Sequence, residues 1–307
     1  MKSNFSDTYH RPYFMGIAIF AIIMMHLHYS LSLYDGIDVA PLYNIFGYGA
    51  FGVDIFLFLS AYGLSCSLHN HTLRRFYSNR IRRIFPVYLL FLFFSLLLFV
   101  THDPIEILKY VFSSISGLSG IRSFPYHVEW FTPCLILVYI FFPLIDKLGS
   151  VVSKMHVWLI ACIIILMQIG FYTLHWGLYE FIWIRLHIIL LGNVIYHLEQ
   201  KLDGKVIQLL SILGLYGILL FRGNEFRVML AMPAVLYLAG NAQRLPLHGF
   251  FSLLGKNSYE IYLAQFVATT YFMDHYHGNV FIELVGVVAI IVCMGFILFL
   301  VRKMFVK

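Results

Sequence analysis

Charge is scarce in this sequence. Of 307 residues, 12% are Asp, Glu, Lys or Arg, against roughly 25% in a soluble domain. That shortage excludes an ordinary water-soluble globule, and no stretch of soluble composition separates the apolar runs. Residues 1–307 therefore read as one integral membrane domain. Cysteine is rare too: Cys66, Cys134, Cys162 and Cys293 lie in or beside apolar runs without paired spacing. This argues against a disulfide framework or a cysteine zinc site, and no metal is expected. Internal repeats and low-complexity tracts are missing. The first apolar run is full length and lacks a small-residue cleavage site, so it is expected to stay on the chain. The formal charge of +6 does not point to nucleic acid, because the basic residues sit at the ends of apolar runs.

What the chain has in abundance is hydrocarbon. Hydrophobic residues make up 61% and aromatic ones 18%, in recurring runs of membrane-crossing length. The expected fold is an all-α polytopic integral membrane protein with about ten transmembrane helices. They fall near 13–34, 45–68, 84–101, 129–147, 155–174, 178–198, 206–221, 228–241, 250–272 and 279–301. An even number puts both termini on one side. Placing them in the cytoplasm leaves sixteen Lys and Arg in inner segments and four in outer ones, with Arg185 inside a span. That bias follows the positive-inside rule and supports the count; the expected location is the plasma membrane, as a multi-pass protein. The longest connection, 102–128, is then outside, either covering the mouth of a cavity or serving as a solvated connector.

Polar residues within these runs are few and costly. At 1.5 Å per helical residue, His26 lies roughly 20 Å from the inner edge of its span. Asp54, Gln168, Arg185, His187 and Gln265 are expected at comparable depth. Either they hydrogen-bond only to hold helices together, or they line a site. A histidine accepts a proton near neutrality, as activating a hydroxyl requires, so His26 is the candidate general base. Asp54 is the candidate carboxylate to orient it. His28 points about 200° round the helix and reads as structural. On the inner side Arg74, Arg75, Arg80, Arg82 and Arg83 crowd one connection before Pro86. They form either a topogenic or lipid-binding patch or a binding site for phosphate, which guanidinium recognises bidentately. Trp130, beside Glu129 at an outer helix start, either anchors at the interface or stacks on a sugar.

Several strings in order resemble the membrane-bound acyltransferase-3 family, whose members O-acylate surface glycans and related acceptors. They are MGIAIFAIIMMH (Met15–His26), GVDIFLFLSAYGL (Gly52–Leu64), NRIRRIFPVY (Asn79–Tyr88), EWFTPCLILVYIFFPLI (Glu129–Ile145), IRLHIILLG (Ile184–Gly192) and GKNSYEIYLAQF (Gly255–Phe266). Met15 stands where the family has arginine, with Arg11 one turn earlier. Gln265 stands where members often have histidine, and Ser60-Ala61-Tyr62 replaces Ser-Gly-Phe. The resemblance implies that an acyl-coenzyme A donor, acetyl-coenzyme A being the expected one, docks from the cytoplasm on Arg80 and Arg83. Its thioester would extend into the bundle, where His26 deprotonates a carbohydrate hydroxyl. Arg11, Glu129, Trp130, Arg185 and Gln265 are the remaining candidate substrate-binding residues. No bound cofactor is implied; the partners are acyl-coenzyme A, a carbohydrate acceptor and the lipid bilayer. The alternative reading is a non-enzymatic polysaccharide or lipid exporter that keeps the fold.

Overall fold

A computed structural model describes residues 10–31, 49, 51–99, 103–120, 129–173, 182–199, 206, 209, 246–275 and 280–306. These residues are helical almost throughout. In chain order the helices are α1 (His10–Leu31), α2 (Phe51–Asn70), α3 (Leu73–Phe99), α4 (Pro104–Ser116), α5 (Phe131–Val152), α6 (Val157–Thr173), α7 (Ile182–Glu199), α8 (His248–Lys256), α9 (Ser258–His275) and α10 (Val280–Phe305). Five of them, α1, α2, α3, α5 and α10, contain windows long and apolar enough to cross a membrane. Helix α10 shows what lipid contact requires. Phe281, Val285, Val288, Val292 and Phe296 are exposed at three- and four-residue spacing, an unbroken apolar stripe.

Close contacts set the helix directions. Gly52 faces Ala18 and Ile22, Gly49 faces Ala21 and Met25, and Gly63 faces Arg11, so α1 and α2 are antiparallel. Helices α2 and α7 are parallel, since Asp54 meets Arg185 and Ser65 meets Asn193. Helix α9 runs with α1, and Arg302 near the end of α10 reaches back to Lys256, Asn257 and Glu260. Consequently α1 begins and α10 ends at the same end of the bundle, the end that carries Arg80 and Arg83. Helix α8 lies against the first turns of α1. Added methyls on Gly16 and Gly255 would overlap backbone atoms of Phe251 and Pro12, so the absence of side chains lets these two backbones touch.

Three expectations change. The arginine cluster is not in a connection: α3 starts at Leu73, so Arg74 to Arg83 ride its first turns and only His71 and Thr72 separate α2 from α3. The expected span 250–272 is two helices, interrupted at Asn257 (φ −115°, ψ 17°). The connection 102–128 contains α4, which the bilayer-length criterion passed over. Its ends are locally encoded: Asp103 caps Ile105 N–H at 2.9 Å, Pro104 opens the helix, and Gly117 closes it with φ 84°, a left-handed conformation that glycine adopts without steric cost. The span expected at 228–241 lies outside the described residues, as does that at 206–221 apart from Val206 and Leu209.

Candidate active site

Three arginines meet at one cavity of about 300 Å³, at the lower end of the size of small-molecule sites. Arg11 comes from the first turn of α1, and Arg80 and Arg83 from successive turns of one face of α3. Asn79, Ser60 of α2, Ser258 and Tyr259 of α9 and Tyr139 of α5 add polar groups to the lining. No carboxylate belongs to that lining among the described residues. Three cations converging without an acid is an arrangement that awaits an anion.

The arginines are held differently. Arg80 Nη1 donates to Ser67 Oγ at 2.7 Å and to Phe76 O at 3.2 Å, with its guanidinium 4.4 Å above the Phe76 ring. Those contacts fix the head group while leaving further N–H donors. Arg83 is exposed. Arg11 Nε is buried and lacks a hydrogen-bond partner among the described residues, and an unpaired buried charge-bearing donor is costly. The Arg11 guanidinium lies so close to Gly63 that a Cβ there would sit 2.6 Å from both Nη atoms.

Away from the arginines the cavity turns apolar. Phe56, Phe131 and Tyr262 line it and pack on one another, Phe56 to Phe131 at 6.1 Å and Phe131 to Tyr262 at 5.2 Å between ring centroids. Tyr262 is three residues from Gln265, one helical turn on α9 or about 4.5 Å. There His26 Nδ1–H donates to Gln265 Oε1 at 2.9 Å. That bond leaves the lone pair on Nε2, the atom through which the ring can take a proton.

The polar layer is not single. The α1–α2 register places Gly52 beside Ala18 and Ile22, so Asp54 lies level with the middle of α1 rather than with His26. The offset is about eight residues, or 12 Å of rise. Arg185 Nε donates to Asp54 Oδ1 at 3.1 Å in a fully buried pair, and the Arg185 guanidinium stacks 5.3 Å from Trp130. The expected pairing of Asp54 with His26 is thereby corrected: Gln265 holds the orienting position, and Asp54 is engaged by Arg185. Counting depth from apolar run ends misjudged this, because helix contacts, not run lengths, fix the register.

Glu129 is fully buried, and its Oε1 accepts Thr132 N–H at 2.7 Å. It therefore caps the first turn of α5. Trp130, partly buried, lies on Arg185 and edge-on to Phe131, 5.9 Å between centroids. His187 is buried on α7, and the side chain of Gln168 on α6 is outside the described residues. Beyond the arginines, the lining residues escaped the sequence reading, among them Phe56, Ser60, Phe131, Tyr139, Tyr259 and Tyr262. All six lie within the strings quoted above, but nothing in their spacing marks them as cavity residues.

A family model described as an acyltransferase domain matches residues 13–301, nearly the whole chain. No curated protein and no solved structure matches it.

Proposed function

This chain belongs to the acyltransferase-3 family, and from that premise we propose that it transfers an acyl group from an acyl-coenzyme A to a carbohydrate hydroxyl. Acyl transfer is the reaction class of the family. The donor, the acceptor and the base are our own assignments. One observation carries them: an arginine-lined cavity whose apolar end lies one helical turn from the His26–Gln265 pair.

In this reading Arg11, Arg80 and Arg83 bind the phosphates of the donor from the cytoplasm. Guanidinium suits this because each plane presents paired donors to phosphate oxygens. The pantetheine arm then runs between Phe56, Phe131 and Tyr262, which exclude water and leave the thioester carbonyl near His26. The acceptor hydroxyl arrives from the opposite side of the membrane. His26 Nε2 takes its proton as the oxygen attacks the thioester carbon, the C–S bond breaks, and the thiolate leaves. The imidazolium returns a proton to that thiolate or to solvent, so the cycle closes without a covalent acyl-enzyme. Gln265 holds the ring in the required tautomer but, being neutral, adds no charge to stabilise the cation. An acetyl donor and a surface or lipid-linked glycan are the specific substrates proposed, in the plasma membrane.

The test is His26→Ala, assayed in membranes containing equal amounts of protein. Acyl transfer should fall by roughly 10²–10⁴-fold while coenzyme A thioester binding persists. Full activity in that variant would reject the base. If no acyl thioester binds the purified wild-type protein at all, the exporter reading prevails, as Met15 and Gln265 would then have suggested.

A further inference from the structure

A second polar cluster lies across α2 from the arginine cavity. His69 lies in the last turn of α2, Asp146 sits near the end of α5, and His197 near the end of α7. The two imidazoles and the carboxylate each offer one ligand atom, all within 4.8 Å of one another. His197 Nε2 is 3.1 Å from Asp146 Oδ1, and His69 Nε2 is 3.7 Å from Asp146 Oδ2. Ligand atoms about 2.1 Å from a tetrahedral ion are roughly 3.4 Å apart; the two nitrogen–oxygen distances bracket that value, and the whole group, within 4.8 Å, would draw in slightly around an ion.

The hydrogen bonds around the cluster point the same way. His69 Nδ1–H donates to the carbonyl of Ser65 at 3.0 Å. Nε2 of His69 therefore faces the Asp146 carboxylate, at a distance too long for a hydrogen bond. A cation shared by the two atoms, a metal ion or a proton carried on Nε2, draws them together. A ligating histidine that gives its other N–H to a backbone carbonyl is the usual outer-shell arrangement of metal sites. Asp146 is itself oriented by a neutral donor, Asn193 Nδ2, at 2.7 Å, and Asn193 Nδ2 is also 2.7 Å from Ser65 Oγ. The side chains of His69, Asp146 and His197 are 44%, 10% and 12% exposed. An ion can thus reach the site from solvent, and a water can complete its coordination.

We propose that His69, Asp146 and His197 form a binding site for a divalent transition metal, zinc in particular, which ties together the ends of α2, α5 and α7. Two nitrogens and one oxygen suit zinc, whereas magnesium and calcium call for oxygen ligands. On α2, His69 points well away from Gly63 and Ser60, which face the cavity, so the site acts as a clamp and takes no part in acyl transfer. It does not depend on the function proposed above.

The experiment uses the full chain, purified in detergent without a polyhistidine tag, stripped with chelator and titrated with zinc chloride by calorimetry. One zinc ion per chain is expected, and cobalt(II) in its place should show the visible absorption of tetrahedral coordination. His69→Ala and His197→Ala should each weaken zinc binding by at least roughly tenfold. His71→Ala, two residues beyond His69 and bonded instead to the carbonyl of Ser67, should leave it unchanged. Zinc should also raise the melting temperature of the wild type and not of His69→Ala. The half-exposed position of His69 keeps that variant foldable. Absence of stoichiometric uptake overturns the proposal; so does uptake that is equal in the wild type and both ligand variants, or lost equally in His71→Ala.

Discussion

Gly63→Ala separates the place of the Arg11 guanidinium from its charge. The new Cβ would stand 2.6 Å from Nη1 and Nη2 and 2.7 Å from Cζ of Arg11, where ordinary contact is about 3.5 Å. The obstacle is the far end of a flexible side chain, so the guanidinium moves about 1 Å and the helices stay put. A hydrogen bond to a charged group contributes about 1.5–3 kcal/mol, and about 1.4 kcal/mol is a factor of ten in binding. Losing one such contact to a donor phosphate should weaken acyl-coenzyme A binding by roughly tenfold to a hundredfold. The same change improves helix propensity in α2 by up to about 1 kcal/mol, so thermal stability should hold or rise. Calorimetric titration of the purified protein with acetyl-coenzyme A reads the first effect, and a melting curve the second. Donor affinity unchanged in both Gly63→Ala and Arg11→Ala would refute the assignment of this cavity to the donor. Lower stability with unchanged affinity would show that Arg11 is only a structural neighbour.

Gln265→Ala should lower the turnover rate by roughly 10²-fold without altering donor affinity, because the ring of His26 loses the 2.9 Å bond that orients it; steady-state rates alongside thioester binding would check this. Asp54→Asn leaves Arg185 buried with an incomplete partner (their side chains are 1% and 7% exposed) and should cost about 3–5 kcal/mol. The double variant Asp54→Asn/Arg185→Gln should recover part of that loss in denaturant or thermal unfolding, and strictly additive losses would count against the pair. Gly16→Ala and Gly255→Ala should each strongly reduce folded protein, since their methyls would meet backbone of α8 and α1, whereas Gly249→Ala, with open space around its added methyl, should be tolerated. Size-exclusion profiles of the three variants would distinguish them.

The membrane character of the chain, its helical class and the identity of its polar residues were all readable as sequence. Each follows from composition or from local periodicity, and a charged or imidazole side chain in an apolar run stands out wherever the run lies. The caps of α4 were equally local and equally legible at Asp103, Pro104 and Gly117, but a helix of 13 residues is too short to show as a bilayer-length run. The cavity was half legible. Arg80 and Arg83 share one helix and one face, whereas their meeting with Arg11 depends on α1 lying antiparallel to α2, which sets Arg11 against Gly63 at the cavity wall.

Partnership was the harder matter. His26 and Gln265 are 239 residues apart, and Asp54 and Arg185 131 apart. Depth counting joined His26 to Asp54 because it treats every helix as starting at the membrane edge. The glycine contacts of Gly49 and Gly52 with α1 set a different register. The cluster of His69, Asp146 and His197 likewise comes from three helices and matches no short motif.

Burial energies and turn preferences act over one helix length, so the order of residues alone carries them. Which side chains touch is decided when whole helices choose their neighbours and slide into register, and that choice belongs to packing between distant segments. The chain thus announced its solvent and its chemistry early, while the pairing of Gln265 with His26 and of Arg185 with Asp54 awaited the assembled bundle.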